Sequence, residues 1–167
     1  MRCLSFFIGS ECFAVDVTLV RKVARKLTVT PVPAVPDAII GIANIKGRVV
    51  TLFSLSKLFK HKETRGEKYA ADTVDAVIFK SFSGGEDQIG LAIDKPGNLI
   101  EINDDLISLP SLTAGTEESF CISGISEVDN VLYRIISIES IMERYKYTGE
   151  KTANTMLTGG NESDEQN

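Results

Sequence analysis

The groups in this 167-residue chain that could do chemistry are three cysteines, one histidine, a few adjacent carboxylates, a glycine pair and two basic runs. Cys3, Cys12 and Cys121 form no C-x-x-C pair and have no companion histidines, so zinc ligation and dithiol exchange are not indicated. Their residue type points instead to buried, reduced thiols. A Cys–His hydrolase built on Cys12 or Cys121 would need a held base. The only histidine, His61, lies between Lys60 and Lys62 in a charged stretch, where a solvated surface residue is expected. Asp104-Asp105 and Glu117-Glu118 are neighbours in loop-like sequence, so they point apart and stay solvated, which does not suit general acid–base work. Gly84-Gly85 is too short for a phosphate loop and lacks a following Lys-Ser or Lys-Thr. No catalytic, metal-binding or cofactor-binding residue is therefore expected, and the chain reads as a non-enzyme. Two basic runs remain: Arg21, Lys22, Arg25 and Lys26, then Lys57, Lys60, Lys62, Arg65 and Lys68. They give the alternative reading, a small β-barrel that binds single-stranded nucleic acid. Such sites interleave exposed aromatics with the basic groove, and only Phe59 falls within either run.

Composition weighs against that alternative. The chain is 43% hydrophobic and 25% charged, as globular proteins are, with a formal net charge of −5. Phosphate-binding proteins depend on a surplus of Lys and Arg, which is missing here. Residues 148–167 hold Glu150, Glu162, Asp164 and Glu165 against Lys151 alone, so the body over 1–147 is nearly neutral. The tail has no apolar period, and an acidic, disordered segment is expected there. Ser10 and Glu11 interrupt the apolar start, so a signal peptide is not expected, and no stretch approaches the ~20 apolar residues of a membrane span. The expected location is the cytoplasm.

The elements that must position any site are mostly strands. Leu4–Ile8 and Cys12–Val17, about Gly9-Ser10-Glu11, read as a hairpin. Asp16 and Thr18 can cap a short helix carrying Val17, Val20, Ala24 and Leu27 at steps of three and four, although the end of this stretch fits a strand equally well. Pro31, Pro33 and Pro36 set an extended corner. Ile39–Ile45 and Arg48–Leu55 read as strands about Lys46-Gly47, and residues 60–73 as a charged linker. Strand signals return at Val74–Phe82, Ile89–Ile93 and Leu99–Ile102, with a turn over residues 84–87 and a second proline corner at Pro110. Phe120–Val128 and Val131–Ile138 pair about Asp129-Asn130, and Glu139–Tyr147 suggests a short helix.

The two halves of this pattern match. GIANIKGRVVTLFSLSKLF, Gly41–Phe59, aligns without a gap on GISEVDNVLYRIISIESIM, Gly124–Met142, at an offset of 83. Gly41 faces Gly124, Val49 faces Leu132, Leu52 faces Ile135, Leu55 faces Ile138 and Leu58 faces Ile141. Two copies are too few for a stacked solenoid, and short strands with Gly and Pro punctuation point to small closed barrels. The expected fold is mainly β, two pseudo-repeated small β-barrels interlocked within a single domain over 1–147.

At this repeat the sequence also resembles the CheW family of bacterial chemotaxis coupling proteins. The resemblance is carried by FFIGSECFAVDV, TPVPAVP, GIANIKGRVVTLFSLSKLF, IGLAID and FCISG, in the family's order from Leu4 to Met142. It implies two five-stranded SH3-like barrels with short helices, no catalytic activity and no cofactor. It also implies an adaptor joining the cytoplasmic tip of methyl-accepting chemoreceptors to the regulatory domain of the histidine kinase CheA, recruited to receptor arrays without inserting in the membrane. On this resemblance Val20 and Val23 would supply apolar contact to a receptor tip, and Lys22, Lys46 and Gly47 charge and register; no kinase-contact residue is assigned. The family's Asn-Leu-Arg-Gly is here Asn44-Ile45-Lys46-Gly47, its following proline is Thr51, its frequent Asp-Leu is Ser54-Leu55, and a common acidic position is Lys22. Lysine lacks the planar fork of arginine, so these departures bear on the polar part of recognition.

Overall fold

The computed structural model describes residues 1–59, 73–81, 88–111 and 115–145. His61, the expected linker apart from Thr73, the turn over 84–87, the second basic run from Lys60 onward and the tail lie outside them. The described chain forms β1 (Arg2–Ile8), β2 (Glu11–Asp16), β3 (Val20–Thr28), β4 (Ile39–Ile45), β5 (Arg48–Ser54), α1 (Leu55–Leu58), β6 (Thr73–Phe79), β7 (Gln88–Ile93), β8 (Lys95–Glu101), α2 (Glu117–Cys121), β9 (Ile122–Val128) and β10 (Val131–Ile136). A last helix, α3, runs over 138–145.

Three local expectations change. Asp16 does cap a helical turn, its carboxylate accepting from the Thr18 amide at 2.8 Å, but that turn is a single 3-10 turn over Val17–Leu19. Val20–Thr28 is a strand paired with β6. Register shifts between Val20 and Lys22 and between Ala24 and Leu27 each add a residue, so inward positions fall three apart and imitate a helical period. Phe120 and Cys121 belong to α2, whose first turn is capped by the Thr116 hydroxyl, and not to the strand that follows. Strand β8 begins at Lys95, ahead of the expected Leu99, and takes in Pro96; it is an edge strand of its sheet, where a missing N–H is tolerated.

The strands form two five-stranded sheets, ordered β3-β6-β7-β5-β4 and β8-β1-β2-β10-β9. Each sheet therefore takes two strands from one half of the chain and three from the other. Matching strands pair alike: β5 runs parallel to β7, and β10 parallel to β2. Gly41 lies opposite Leu52, and Gly124 opposite Ile135, an offset of 83 in both strands.

Each sheet closes on itself at one seam. The Thr30 and Ile42 amides donate to each other's carbonyls at 2.8 and 2.9 Å, tying the end of β3 to β4. Ser108 and Ile125 do the same at 2.9 and 2.8 Å, tying the chain after β8 to β9. Closure removes the open edges that would template pairing with other chains.

Packing follows the strand alternation. Leu52, Val50, Ala76 and Ile78 fill the first barrel, and Cys3, Ala14, Ile102 and Ile135 fill the second. Their neighbours point the other way, into the largest core, which lies between the barrels: Phe6, Phe13, Phe53, Phe79, Leu91 and Ile136, with Leu55, Leu58, Ile138 and Ile141 from α1 and α3. The Phe6 and Phe13 rings stack there at 5.7 Å, and Phe53 meets Tyr145 at 5.2 Å.

Candidate functional site

Lys46 and Gly47 are the two central residues of the β4–β5 turn. Both have positive φ, 50° and 80°, as the tight hairpin turn that matches strand twist requires. The turn is braced by the Asn44 carboxamide oxygen, which accepts from the Gly47 amide at 2.9 Å. Lys46 is exposed, and its ammonium has no ion-pair partner among the described residues. Arg48 and Val49 follow it onto the same exposed tip, Val49 being 56% exposed.

Val20, Lys22 and Val23 lie on β3, at the other edge of the same sheet. Val20 and Val23 are half-buried against the core between the barrels, so much of their apolar surface is already used within the fold. Lys22 is half-buried opposite Ile78 of β6, without an ion-pair partner among the described residues. Across the sheet the registers run Lys22, Ile78, Gly90, Leu52, Gly41. From that row Val20 and Lys46 lie toward the same end of the barrel, on strands separated by β6, β7 and β5. Lys22 lies in that row and Val23 beyond it, so the five residues fall into two groups, one on β3 and one at the β4–β5 turn, with no bond linking them among the described residues. Arg25 is held by Asp75 at 3.4 Å, which removes it from the free charge of this face.

The second barrel presents the equivalent tip. Asp129 and Asn130 take φ of 50° and 63° at the β9–β10 turn, and Leu132, the repeat partner of Val49, is 55% exposed. Sequence alignment pairs Val49 with Leu132 as apolar positions, which by itself suggests core; only the alternation about buried Val50 and Leu52 turns them outward.

Nucleophilic chemistry finds no support in the two buried thiols. Burial, with Glu117 adding to it, pushes Cys121 up to about 12, and burial with Asp16 pushes Cys3 up to about 11, so both stay protonated near neutrality. The carboxylates at 117 and 118 have structural partners: Glu117 pairs with Arg144, and Glu118 with Arg134 at 2.6 Å, which also reaches Glu11 at 3.2 Å. No group of three or more His, Cys, Asp or Glu residues placed to hold a metal occurs among the described residues. The one exposed aromatic among the described residues, Phe120, lies beneath the Arg144 guanidinium at 5.1 Å on the acidic α2, away from the basic run on β3. A stacking platform for single-stranded nucleic acid is therefore not assembled by the described residues.

Comparison with known proteins adds the family. The model of the CheW-like domain matches residues 2–146. The chemotaxis protein CheW of Rhizobium meliloti is 24% identical over 139 residues, covering 83% of this chain and 84% of that protein. The chemotaxis protein CheW of Helicobacter pylori is 27% identical over 146 residues, covering 86% and 82%. Among solved structures, the scaffolding protein TtCheW of Thermoanaerobacter tengcongensis superposes with a TM-score of 0.68 at 23% identity, over 82% of this chain and 88% of that one.

Proposed function

Because the chain belongs to the CheW-like family, whose named relatives are chemotaxis proteins, we propose that it is a non-enzymatic adaptor coupling the cytoplasmic tips of chemoreceptors to the histidine kinase CheA. The observation that carries this reading is the family match over residues 2–146, which spans both barrels and the core between them. The protonated thiols of Cys3 and Cys121 and the carboxylates held in ion pairs agree with a binding role. The receptor surface in this reading lies on the first barrel: Lys46 and Gly47 at the exposed turn, Lys22 on β3, and the uncovered parts of Val20 and Val23. Apolar contact with a charged rim is the usual division of labour at such interfaces. The kinase would meet the adaptor barrel to barrel, in the cytoplasm at receptor arrays.

The test is binding of the whole chain to a receptor-tip fragment and to the regulatory domain of CheA. Lys46→Glu should keep the fold, because the side chain is exposed and unpaired, and should weaken receptor binding several-fold at low salt. That loss should shrink as salt screens the charge. Receptor binding unchanged by Lys46→Glu at low salt would remove Lys46 from the site. If the wild-type chain bound neither partner at micromolar concentration, the adaptor reading would fall.

A further inference from the structure

One end of the first barrel holds cations that no described residue neutralises. Lys46 and Arg48 are exposed at the β4–β5 turn and form no ion pair among the described residues. Lys26 on β3 is exposed and unpaired through its side chain as well, whereas its neighbour Arg25 is held by Asp75 at 3.4 Å. Thr30 pairs antiparallel with Ile42 across the seam, so Lys26, ahead of Thr30, and Lys46, beyond Ile42, lie toward the same end. Val49 stands exposed beside the turn. At the matching turn of the second barrel the sign is reversed, with Glu127 and Asp129 exposed next to Leu132.

The complement of this basic end is carried by the same chain. Residues 161–167 hold Glu162, Asp164 and Glu165 and no cation, and Met156 and Leu157 precede them. Helix α3 brings the chain to Tyr145, whose ring meets Phe53 of β5 at 5.2 Å. From Phe53, Lys46 is about 23 Å back along β5 at the usual rise of a strand. The chain from Tyr145 to Glu162 reaches about 55 Å when extended, and a random chain of that length has an r.m.s. span of about 23 Å. The acidic group is therefore tethered at a distance that matches the basic end, and a matched tether gives the highest effective concentration. We propose that the acidic segment folds back on the first barrel of its own chain, Glu162, Asp164 and Glu165 facing Lys26, Lys46 and Arg48, with Met156 and Leu157 covering Val49. The tip of the second barrel is excluded as the dock, because Glu127 and Asp129 repel the same carboxylates. Exposed ion pairs are individually weak and screened by salt, so the tether is what populates the contact. The segment acts as a built-in mask, since an anionic partner gains these cations only by displacing it. This goes beyond the adaptor reading and needs neither the receptor nor the kinase.

Carbodiimide coupling of the full chain tests it, because the reagent joins a carboxylate to an amine only where the two are in contact. At micromolar protein and ~50 mM salt, Glu162, Asp164 and Glu165 should couple to Lys46 and Lys26 within single chains of 18.2 kDa, and the coupling should fall several-fold at ~500 mM. Lys57, exposed on α1 and four residues from Phe53, is the control. A segment that does not dock would meet Lys57, near its own root, at least as often as Lys46. This comparison needs no variant. Arg48→Glu, which leaves both lysines in place, should cut their coupling several-fold. Conversely, Glu162→Gln/Asp164→Asn/Glu165→Gln should raise the acetylation rate of Lys46 several-fold and leave that of Lys57 unchanged, with circular dichroism reporting that the fold is kept. Coupling spread evenly over Lys26, Lys46 and Lys57, coupling found only between two chains, or Lys46 acetylation unmoved by the triple variant would each overturn the proposal.

Discussion

The residues that matter most to closure are Gly41 and Gly124, each set where a barrel's seam brings backbone within reach. A Cβ on Gly41 would lie 2.4 Å from the Thr30 carbonyl oxygen, and its φ of +148° is one that L-residues avoid. A Cβ on Gly124 would lie 2.3 Å from Ile107 Cγ2, a side-chain atom, with no such backbone conformation to maintain. Gly41→Ala should therefore destabilise the chain by roughly 3 kcal/mol, combining a backbone clash with strain, and Gly124→Ala by about half that. Urea unfolding of both variants measures the difference; equal losses would mean that the backbone clash at Thr30 is relieved by movement. The buried thiols make a second prediction. Cys3 and Cys121 hold their protons in the folded state up to about 11 and about 12, against the ordinary value of 9.0. Above pH 9 the unfolded chain binds fewer protons than the folded one, so stability should fall as pH rises from about 9 toward 11 to 12. Cys121→Ala should flatten that fall even though it leaves a small cavity at neutral pH, and a slope unchanged in this variant would argue against thiol titration as its cause.

At the scale of elements, the repeat sets the caps as well as the strands. The Ser54 hydroxyl accepts from the Lys57 amide at 3.3 Å, and the Ser137 hydroxyl from the Ser140 amide at 3.2 Å, so the serine standing where the family often has aspartate still starts the helix. Ser54→Ala should cost ~1 kcal/mol in thermal or urea unfolding, and Ser54→Asp should cost more, because Ser54 is fully buried and a carboxylate there would lose its hydration; a Ser54→Asp variant as stable as the parent would show that the cap opens to solvent. Most strands could be read in the sequence because period-two alternation and turn residues that accept positive φ are local signals, as at Lys46-Gly47 and Asp129-Asn130. Strand β3 was ambiguous because two register shifts stretch its inward spacing from two to three. Helix α2 was hidden because its five residues are too few to show a period, and its cap at Thr116 gains meaning only beside Ser119. The five residues proposed for the receptor surface carry less signal still. Their exposure depends on which strands flank β3 and β5, and residues distant in sequence decide that; Val20 and Val23 turned half inward onto a core assembled by both barrels.

The whole molecule is organised by exchange between its halves. The sheet β3-β6-β7-β5-β4 draws β6 and β7 from beyond residue 72, and the sheet β8-β1-β2-β10-β9 draws β1 and β2 from the first sixteen residues. Neither half of the chain contains a complete barrel. A fragment ending at residue 65 would hold β3, β4 and β5 without β6 and β7, which pair between β3 and β5. Its β3 would have lost its hydrogen-bonded neighbour, while Val50 and Leu52 of the first barrel's interior would have lost Ala76 and Ile78. The complementary fragment would hold β8, β9 and β10 without β1 and β2, leaving Ile102 and Ile135 without Cys3 and Ala14. Each fragment alone should therefore lack cooperative unfolding, since chains this short with an incomplete core do not offset the entropy of ordering. Mixed, fragments 1–65 and 66–167 should assemble one-to-one and recover the strand signal of the intact chain, because the cut falls between β5 and β6 and breaks no described strand. Circular dichroism and size-exclusion chromatography read both outcomes. A fragment that unfolds cooperatively by itself would mean that one half can close a barrel from its own strands, against the exchange seen here; a mixture that never assembles would make the covalent link between the halves part of what holds the barrels closed.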